Sequence, residues 1–176
     1  VSFTASNLSV NDHTLSLVVR DELGAECISN LYYIVGTVPE VELLSPVDGV
    51  AFSLGASIQF PATVSDGEDT AQQLSLSWDS DLDGNLSTAG ADATGISDFN
   101  SSALSAGSHS ITLTATDSDG LSSSASLGLH VSTPPTAPVL SLSPDPALTT
   151  DDLSVSASGS SDADGDPITD VYARSY

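Results

Sequence analysis

HSITLTATDSDG, residues 109–120, and HTLSLVVRDELG, residues 13–24, are two copies of one pattern separated by 96 residues. In both copies apolar and small polar residues alternate, as in a strand with one buried face, and an acidic loop ending in glycine follows. A repeat of this length, built on a period of two, predicts β-sandwich domains in series.

A second similarity shows where each repeat begins, because VELLSP at residues 41–46 is similar to VLSLSP at residues 139–144. Domain starts are therefore expected near Pro39 and Pro138. We predict the end of one domain in 1–38, a complete domain in 39–133, and a linker with the start of a third in 134–176. Two explanations remain open: a fragment of a longer polypeptide, or a subunit whose half-domains neighbouring chains complete.

The composition predicts an all-β chain. Serine and threonine are abundant, methionine is absent, and no segment sustains an apolar period of 3.6 with helix caps. No apolar run is long enough to cross a bilayer, so we expect no membrane insertion by this segment. Cys27 is the single cysteine, which excludes a disulfide within the segment, and it is expected to be a small buried residue of a strand.

The charge is strongly one-sided. Twenty-four acidic residues face two arginines and no lysine, for a formal net charge of −22. Such a field repels phosphate backbones, which argues against nucleic acid as a partner. Cations are the natural partners, although a surface solvated for high salt explains the same composition.

The complete domain shows five strand patterns and one core centre. Trp78 shares a face with Leu74 and Leu76 and is expected at the middle of the core. Pro61 lies within a strand pattern, which predicts an edge strand or a bulge there. The predicted strands are 41–44, 57–64, 74–79, 109–116 and 122–131.

The loop after Trp78 has the pattern D-x-D-x-D-G-N, formed by Asp79, Asp81, Asp83 and Asn85. Carboxylates two residues apart around a glycine turn supply the oxygen ligands that calcium prefers. If Asp79 is the first position of an EF-hand loop, the twelfth is Gly90, where an EF-hand has a glutamate that binds calcium through both oxygens. The alternative is a hairpin turn whose aspartates are only solvated.

Catalytic motifs are missing from the sequence. Serine, histidine and aspartate all occur, but no G-x-S-x-G element places a nucleophile. His13, His109 and His130 are expected at the surface or at strand edges rather than as ligands. We therefore expect no enzymatic activity.

Residues 78–84 and 104–120 resemble the Ig-like and PKD-like repeats of large bacterial and archaeal cell-surface proteins. Residues 149–153 and 161–166 resemble the start of another such repeat. Trp78 is followed by DSDLDG rather than the PKD signature D-F-G-D-G, so the domain is PKD-like only. The resemblance implies tandem Ig-like β-sandwich domains, one complete and two partial, in an extracellular or cell-surface protein.

The topology of these repeats implies two groups of acidic loops, at opposite poles of the complete domain. The group facing the first domain comprises Asp66, Glu68, Asp69, Asp117 and Asp119. The group facing the third domain comprises Asp79, Asp81, Asp83, Asp162, Asp164 and Asp166. Together with Asn85 these residues are the candidate calcium ligands, and bound calcium would stiffen junctions that like charges otherwise splay.

The leading functional expectation is a non-catalytic structural or adhesive segment of a surface protein, stalk or filament. Its expected partners are neighbouring domains or subunits of the same protein, together with a surface or glycan ligand. One alternative is a self-assembling filament subunit in which strands of one chain complete the half-domain of the next. A second is an accessory carbohydrate-binding module of a secreted hydrolase, for which Tyr32 and Tyr33 are the candidate platform.

Overall fold

The structure, a computed structural model, describes residues 2, 4–169 and 171, and over these residues it is almost entirely β. One turn of 3₁₀ helix, Ala71–Gln73, is the exception, and no helix in the described part could cross a membrane. The all-β prediction is therefore confirmed. The strands are β1 (Asn11–Arg20), β2 (Glu26–Val35), β3 (Glu40–Leu43), β4 (Val50–Ser53), β5 (Ile58–Ser65), β6 (Ser75–Ser80), β7 (Gly84–Ser87), β8 (Ile96–Ser101), β9 (Gly107–Thr116), β10 (Ser122–Ser132), β11 (Val139–Ser143) and β12 (Ser154–Ser158).

The sequence repeat is reproduced in the strands. β1 and β9 each have 10 residues and begin 96 positions apart, at Asn11 and Gly107. β2 and β10 begin at the same separation, at Glu26 and Ser122, and each pairs antiparallel with the strand before it. One hairpin design is thus used twice. The domain boundaries themselves stay a prediction.

The central domain is a sandwich of two sheets. The larger has the order β4-β10-β9-β6-β7, and the smaller has the order β3-β5-β8. All neighbours are antiparallel except β4, which runs parallel to β10. In the part of the chain that the structure describes, two further sheets, β1-β2 and β11-β12, contain two strands each.

The core lies between the two central sheets, with Trp78 at its middle. Trp78 and Phe60 are both fully buried, and their ring centroids are 6.0 Å apart. Phe99 packs against both, at 5.2 Å from Trp78 and 5.0 Å from Phe60. The indole nitrogen of Trp78 donates a hydrogen bond of 3.1 Å to the Ser97 hydroxyl, so the one polar atom of the ring is satisfied. The predicted position of Trp78 is confirmed.

Pro61 does not lie in an edge strand, because β5 runs between β3 and β8. It is paired with Asp98 of β8, and its carbonyl accepts the Leu44 amide at 3.0 Å just beyond the end of β3. In an antiparallel pair the N–H and C=O of a residue point to the same side. The missing N–H of Pro61 therefore faces the point where the β3 ladder stops, and the proline is tolerated inside the sheet.

The two-stranded sheets leave apolar side chains in solvent. Leu17 of β1 is 63% exposed and Leu140 of β11 is 63% exposed. Cys27 of β2 is exposed as well, so its predicted burial is wrong. The reason is that its sheet has two strands and, in the described part of the chain, no second sheet covers it, whereas the equivalent hairpin β9-β10 belongs to a full sandwich.

Candidate cation sites

The loop from Asp79 to Asn85 forms the tight turn between β6 and β7, with Gly84 at φ +75°. The Asp79 carboxylate accepts hydrogen bonds from Ser77 Oγ at 2.7 Å and from Asn85 Nδ2 at 3.1 Å. Asp81 accepts the Ser110 amide at 2.7 Å. Each carboxylate thus has its own protein donors, and the loop is tied to β6 and β9.

Asp83 belongs to a polar cluster that also contains Ser80, Ser105 and His109. Its carboxylate accepts the Ser105 amide at 2.9 Å and the Ser105 hydroxyl at 2.5 Å. These hydrogen bonds, chiefly the one from the hydroxyl, hold the pKa of Asp83 below its ordinary value, and His109 adds to the effect. The loop carboxylate is therefore kept ionised by its own neighbours.

His109 is buried, at 3% exposure, so the predicted surface position is wrong. It faces inward because it shares the alternation of Ile111 along β9, a signal present in the sequence. Its Nε2 lies 2.8 Å from the Ser105 carbonyl and therefore donates, while Nδ1 lies 2.9 Å from Ser80 Oγ and 3.7 Å from Asp83. In a catalytic triad serine and aspartate contact opposite nitrogens. Here both lie on the Nδ1 side, and the arrangement fastens a loop rather than activating a nucleophile.

The first junction, between the β1-β2 sheet and the central domain, brings together the acidic loops that were expected at the pole facing the first domain. Asp69, after β5, accepts the Ser118 amide at 2.7 Å and the Ser118 hydroxyl at 3.0 Å in the β9-β10 turn. Glu68 accepts the Thr37 hydroxyl at 2.8 Å and the Thr37 amide at 3.2 Å, in the segment that leaves β2. The loop therefore bridges the first sheet and the central domain.

Asp119 lies in the β9-β10 turn, directly after Ser118, whose amide and hydroxyl are bonded to Asp69. Desolvation raises the pKa of Asp119, and the charges of neighbouring carboxylates raise it further. Those neighbours are Asp117, Asp69, Asp12 and Glu68. Asp12 belongs to β1 and was not foreseen, because only the docking of the first sheet brings it here. Asp66 turns one oxygen to the Glu68 and Asp69 amides, while its buried Oδ2 has no hydrogen-bond partner.

The second junction is formed by the loop after β12 and the end of β10. Asp164 accepts hydrogen bonds from the Thr133 amide and, at 2.6 Å, from the Thr133 hydroxyl, and these lower the pKa of Asp164. Asp166 accepts the Ser132 hydroxyl at 2.9 Å. Asp162 accepts the amides of both aspartates, at 2.9 and 3.2 Å, and so shapes the loop.

The aspartates of the β6-β7 turn and those of the loop after β12 were expected together at the pole facing the third domain, but they have different hydrogen-bond partners. In the described residues, Asp79, Asp81 and Asp83 are hydrogen-bonded to the central domain alone, whereas Asp164 and Asp166 are bonded to the linker. Calcium binding by either set stays a prediction. His130, which was expected at the surface or a strand edge rather than as a ligand, has its Nε2 3.8 Å from Asp166 Oδ2.

The aromatic pair considered for glycan binding is divided by the alternation of β2. Tyr32 is 73% exposed, whereas Tyr33 is half-buried and stacks on His13 with ring centroids 5.3 Å apart. The two rings therefore point to opposite faces of the sheet.

These observations define an Ig-like β-sandwich whose polar clusters lie at its poles. Residues 39–113 match the family described as the bacterial Ig domain. The resemblance to Ig-like repeats is thereby confirmed for this part of the chain. Domains of this fold are typically non-catalytic and commonly extracellular.

Two solved structures are similar to the chain at low identity. The fibronectin(III)-like modules of Clostridium thermocellum CbhA share 18% identity at a TM-score of 0.46, over 72% of this chain and 65% of that one. The endo-beta-1,4-mannanase of Thermotoga petrophila shares 19% identity at a TM-score of 0.44, over 56% and 20%. The chain thus spans less than two thirds of the length of either. No curated protein matches its sequence.

Proposed function

We propose that the chain is a non-catalytic structural segment of an extended extracellular surface protein, in which Ig-like domains stacked in series act as a spacer. We further propose that calcium stiffens the junction between the β1-β2 sheet and the central domain. The observation that carries the second proposal is that acidic residues of one loop contact both sides of that junction, with Glu68 bonded to Thr37 and Asp69 bonded to Ser118 in the turn that contains Asp119.

The electrostatics of the first junction favour a divalent cation. Like charges within a Debye length, about 8 Å at physiological salt, repel and push the joined parts of the chain apart. Desolvation is the largest cause of the raised pKa of Asp119, and this repulsion raises it further, because protonation removes one of the repelling charges. A calcium ion takes six to eight oxygen ligands and would convert the repulsion into attraction. Extracellular modules bind calcium with dissociation constants of about 10⁻⁴ to 10⁻³ M.

Calcium at about ten times its dissociation constant is expected to stabilise the folded chain by roughly 1.4 kcal/mol, because it binds only the folded junction. Asp119→Asn is expected to raise the unfolding midpoint without calcium at neutral pH and to reduce the calcium response. The gain should fade as pH falls through the raised pKa of Asp119, because protonation then relieves the same repulsion in the parent chain.

The measurement is thermal unfolding against calcium and against magnesium at matched ionic strength. Asp152→Asn is the control, because it removes an equal charge from an exposed position in the third part of the chain. Equal responses to both cations, or an Asp152→Asn effect as large as that of Asp119→Asn, would contradict a specific calcium site. Either result would show that cations only screen the negative charges of the chain.

A second candidate function, assembly of the chain with copies of itself, is favoured by the exposed two-stranded sheets. The β1-β2 hairpin corresponds to β9-β10, and the β11-β12 hairpin corresponds to β3-β5, since Val41 and Val139 hold the same place in the repeat. In the central domain those two units pack together as a sandwich. We propose that the β11-β12 hairpin of one chain covers the β1-β2 sheet of another in the same way.

Analytical ultracentrifugation from low to high micromolar concentration tests this assembly. Leu17→Asp and Val139→Asp should each abolish association, because these positions correspond to Leu113 and Val41, which pack in the central core, and either aspartate would bury a charge in the new interface. Leu82→Asp is the matched control, with 52% exposure in a central-domain turn. A chain that stays monomeric at all concentrations would exclude assembly by this route.

A further inference from the structure

The second junction contains a group that differs from a simple acidic cluster. His130, Asp164 and Asp166 each offer a ligand atom, and these atoms all lie within 4.8 Å of one another. It is the one such set of three among the residues that the structure describes. Its histidine comes from β10 of the central domain, and its two aspartates come from the loop after β12, so the set spans the junction.

The free nitrogen of His130 faces this group. Nε2 is buried, has no hydrogen-bond partner and lies 3.8 Å from Asp166 Oδ2. The side chain as a whole retains 31% exposure, so the burial belongs to the nitrogen that faces the carboxylate. A buried polar atom without a partner is costly, because it has lost water and gained nothing in exchange. A cation between the imidazole and the carboxylates would supply the missing partner.

The other ring nitrogen of His130, Nδ1, fixes the orientation of the imidazole. Nδ1 lies 3.2 Å from Ser108 Oγ, and Ser108 is directly opposite His130 in the β9-β10 register. A neutral imidazole that donates from Nδ1 keeps its lone pair on Nε2, the form in which histidine binds metals. Metal-binding histidines usually use their second nitrogen in this way, and the hydrogen bond orients the ring.

The carboxylates are held in place as ligands would be. Thr133 donates twice to Asp164, and Ser132 donates once to Asp166. An ionised carboxylate has about four acceptor positions, so these bonds leave capacity for a cation. A cleft of about 400 Å³, lined in part by Ser132, Asp162 and Asp166, opens beside the group and gives an ion access.

We propose that His130, Asp164 and Asp166 bind a transition-metal cation of the zinc class, which joins the central domain to the third part of the chain. An imidazole nitrogen with two carboxylates suits zinc, whereas calcium prefers a shell of oxygens alone. Tetrahedral zinc at ligand distances near 2.1 Å needs ligand atoms about 3.4 Å apart. His130 Nε2 and Asp166 Oδ2, 3.8 Å apart, are close to that separation, and the fourth position is left for water.

This site is independent of the calcium proposal, because it uses another junction and another cation. Calorimetric titration of the whole chain with zinc chloride is expected to show one site. His130→Gln and Asp166→Asn should each weaken that site at least tenfold, as loss of a ligand or its support does in metal sites. Cobalt chloride should give the visible absorption of four-coordinate cobalt in the parent chain and lose it in both variants.

His13→Gln is the matched control, because His13 stacks on Tyr33 in the first sheet and should leave zinc binding unchanged. Circular dichroism establishes that each variant is folded, and Asp164→Asn provides a second test if His130→Gln is not. No zinc binding by the parent chain, or undiminished binding by folded His130→Gln, would overturn the site. Neither result would alter the calcium response of the first junction.

Discussion

Replacement of Trp78 by alanine is expected to lower the free energy of unfolding of the central domain by about 3–5 kcal/mol. The indole is fully buried, packs against Phe60 and Phe99, and donates to the buried Ser97 hydroxyl. Alanine leaves a cavity between the two sheets and deprives Ser97 of its partner. Domains of this size are stable by only about 5–15 kcal/mol, so the loss is a large share of the total.

Denaturation by urea, followed by far-ultraviolet circular dichroism, measures this loss without relying on the fluorescence of the single tryptophan. Val47→Ala is the control, because Val47 is 78% exposed in the turn after β3 and should change stability by less than about 0.5 kcal/mol. Trp78→Phe should fall between the two, since it keeps a ring but loses the hydrogen bond. A Trp78→Ala loss below about 1 kcal/mol would contradict the described core.

Gly95→Ala is expected to cost about 2–4 kcal/mol, for two separable reasons. Gly95 has φ +86°, which an L side chain adopts only with strain, and a Cβ there would lie 2.5 Å from the carbonyl oxygen of Val64. That oxygen is backbone, and the Val64 amide is held by the Gly95 carbonyl at 2.8 Å. The two segments therefore cannot separate without breaking a hydrogen bond beside β5.

Gly55→Ala separates the strain from the overlap. Gly55 has φ +80°, but a Cβ there meets nothing within 4 Å. It should cost only the conformational strain, about 1 kcal/mol. Equal losses in the two variants, measured by the same urea titration, would show that the approach of Gly95 to Val64 is looser than described.

The alternation of apolar and polar residues correctly predicted the strands whose position depends on neighbouring residues alone. The strict alternation and the 96-residue shift located both hairpins, and the face shared by Leu74, Leu76 and Trp78 located the core. β4 escaped prediction because it has four residues and is fixed by parallel pairing with β10, far along the chain. The burial of Cys27 was wrong for the same kind of reason, since exposure depends on which sheet covers β2.

The candidate sites were predictable to the extent that topology places loops. The order of strands in an Ig-like sandwich puts the loop after β5 beside the β9-β10 turn, and Asp69 does contact Ser118 there. Asp12 and His130 could not be found in this way, because each joins its cluster only when a flanking sheet or loop packs on the central domain. His109 could have been found, since its alternation with Ile111 points it inward.

The central claim, a spacer whose first junction is stiffened by calcium, is tested most directly by nitrogen-15 relaxation of the chain with calcium and with chelator. Amides of β1 and β2 report the motion of the first sheet, and amides of β6 and β9 report the motion of the central domain. We expect different tumbling times for the two sets in chelator and one shared time in calcium. Magnesium is not expected to substitute. Tumbling times that calcium leaves unchanged would contradict a calcium-stiffened junction.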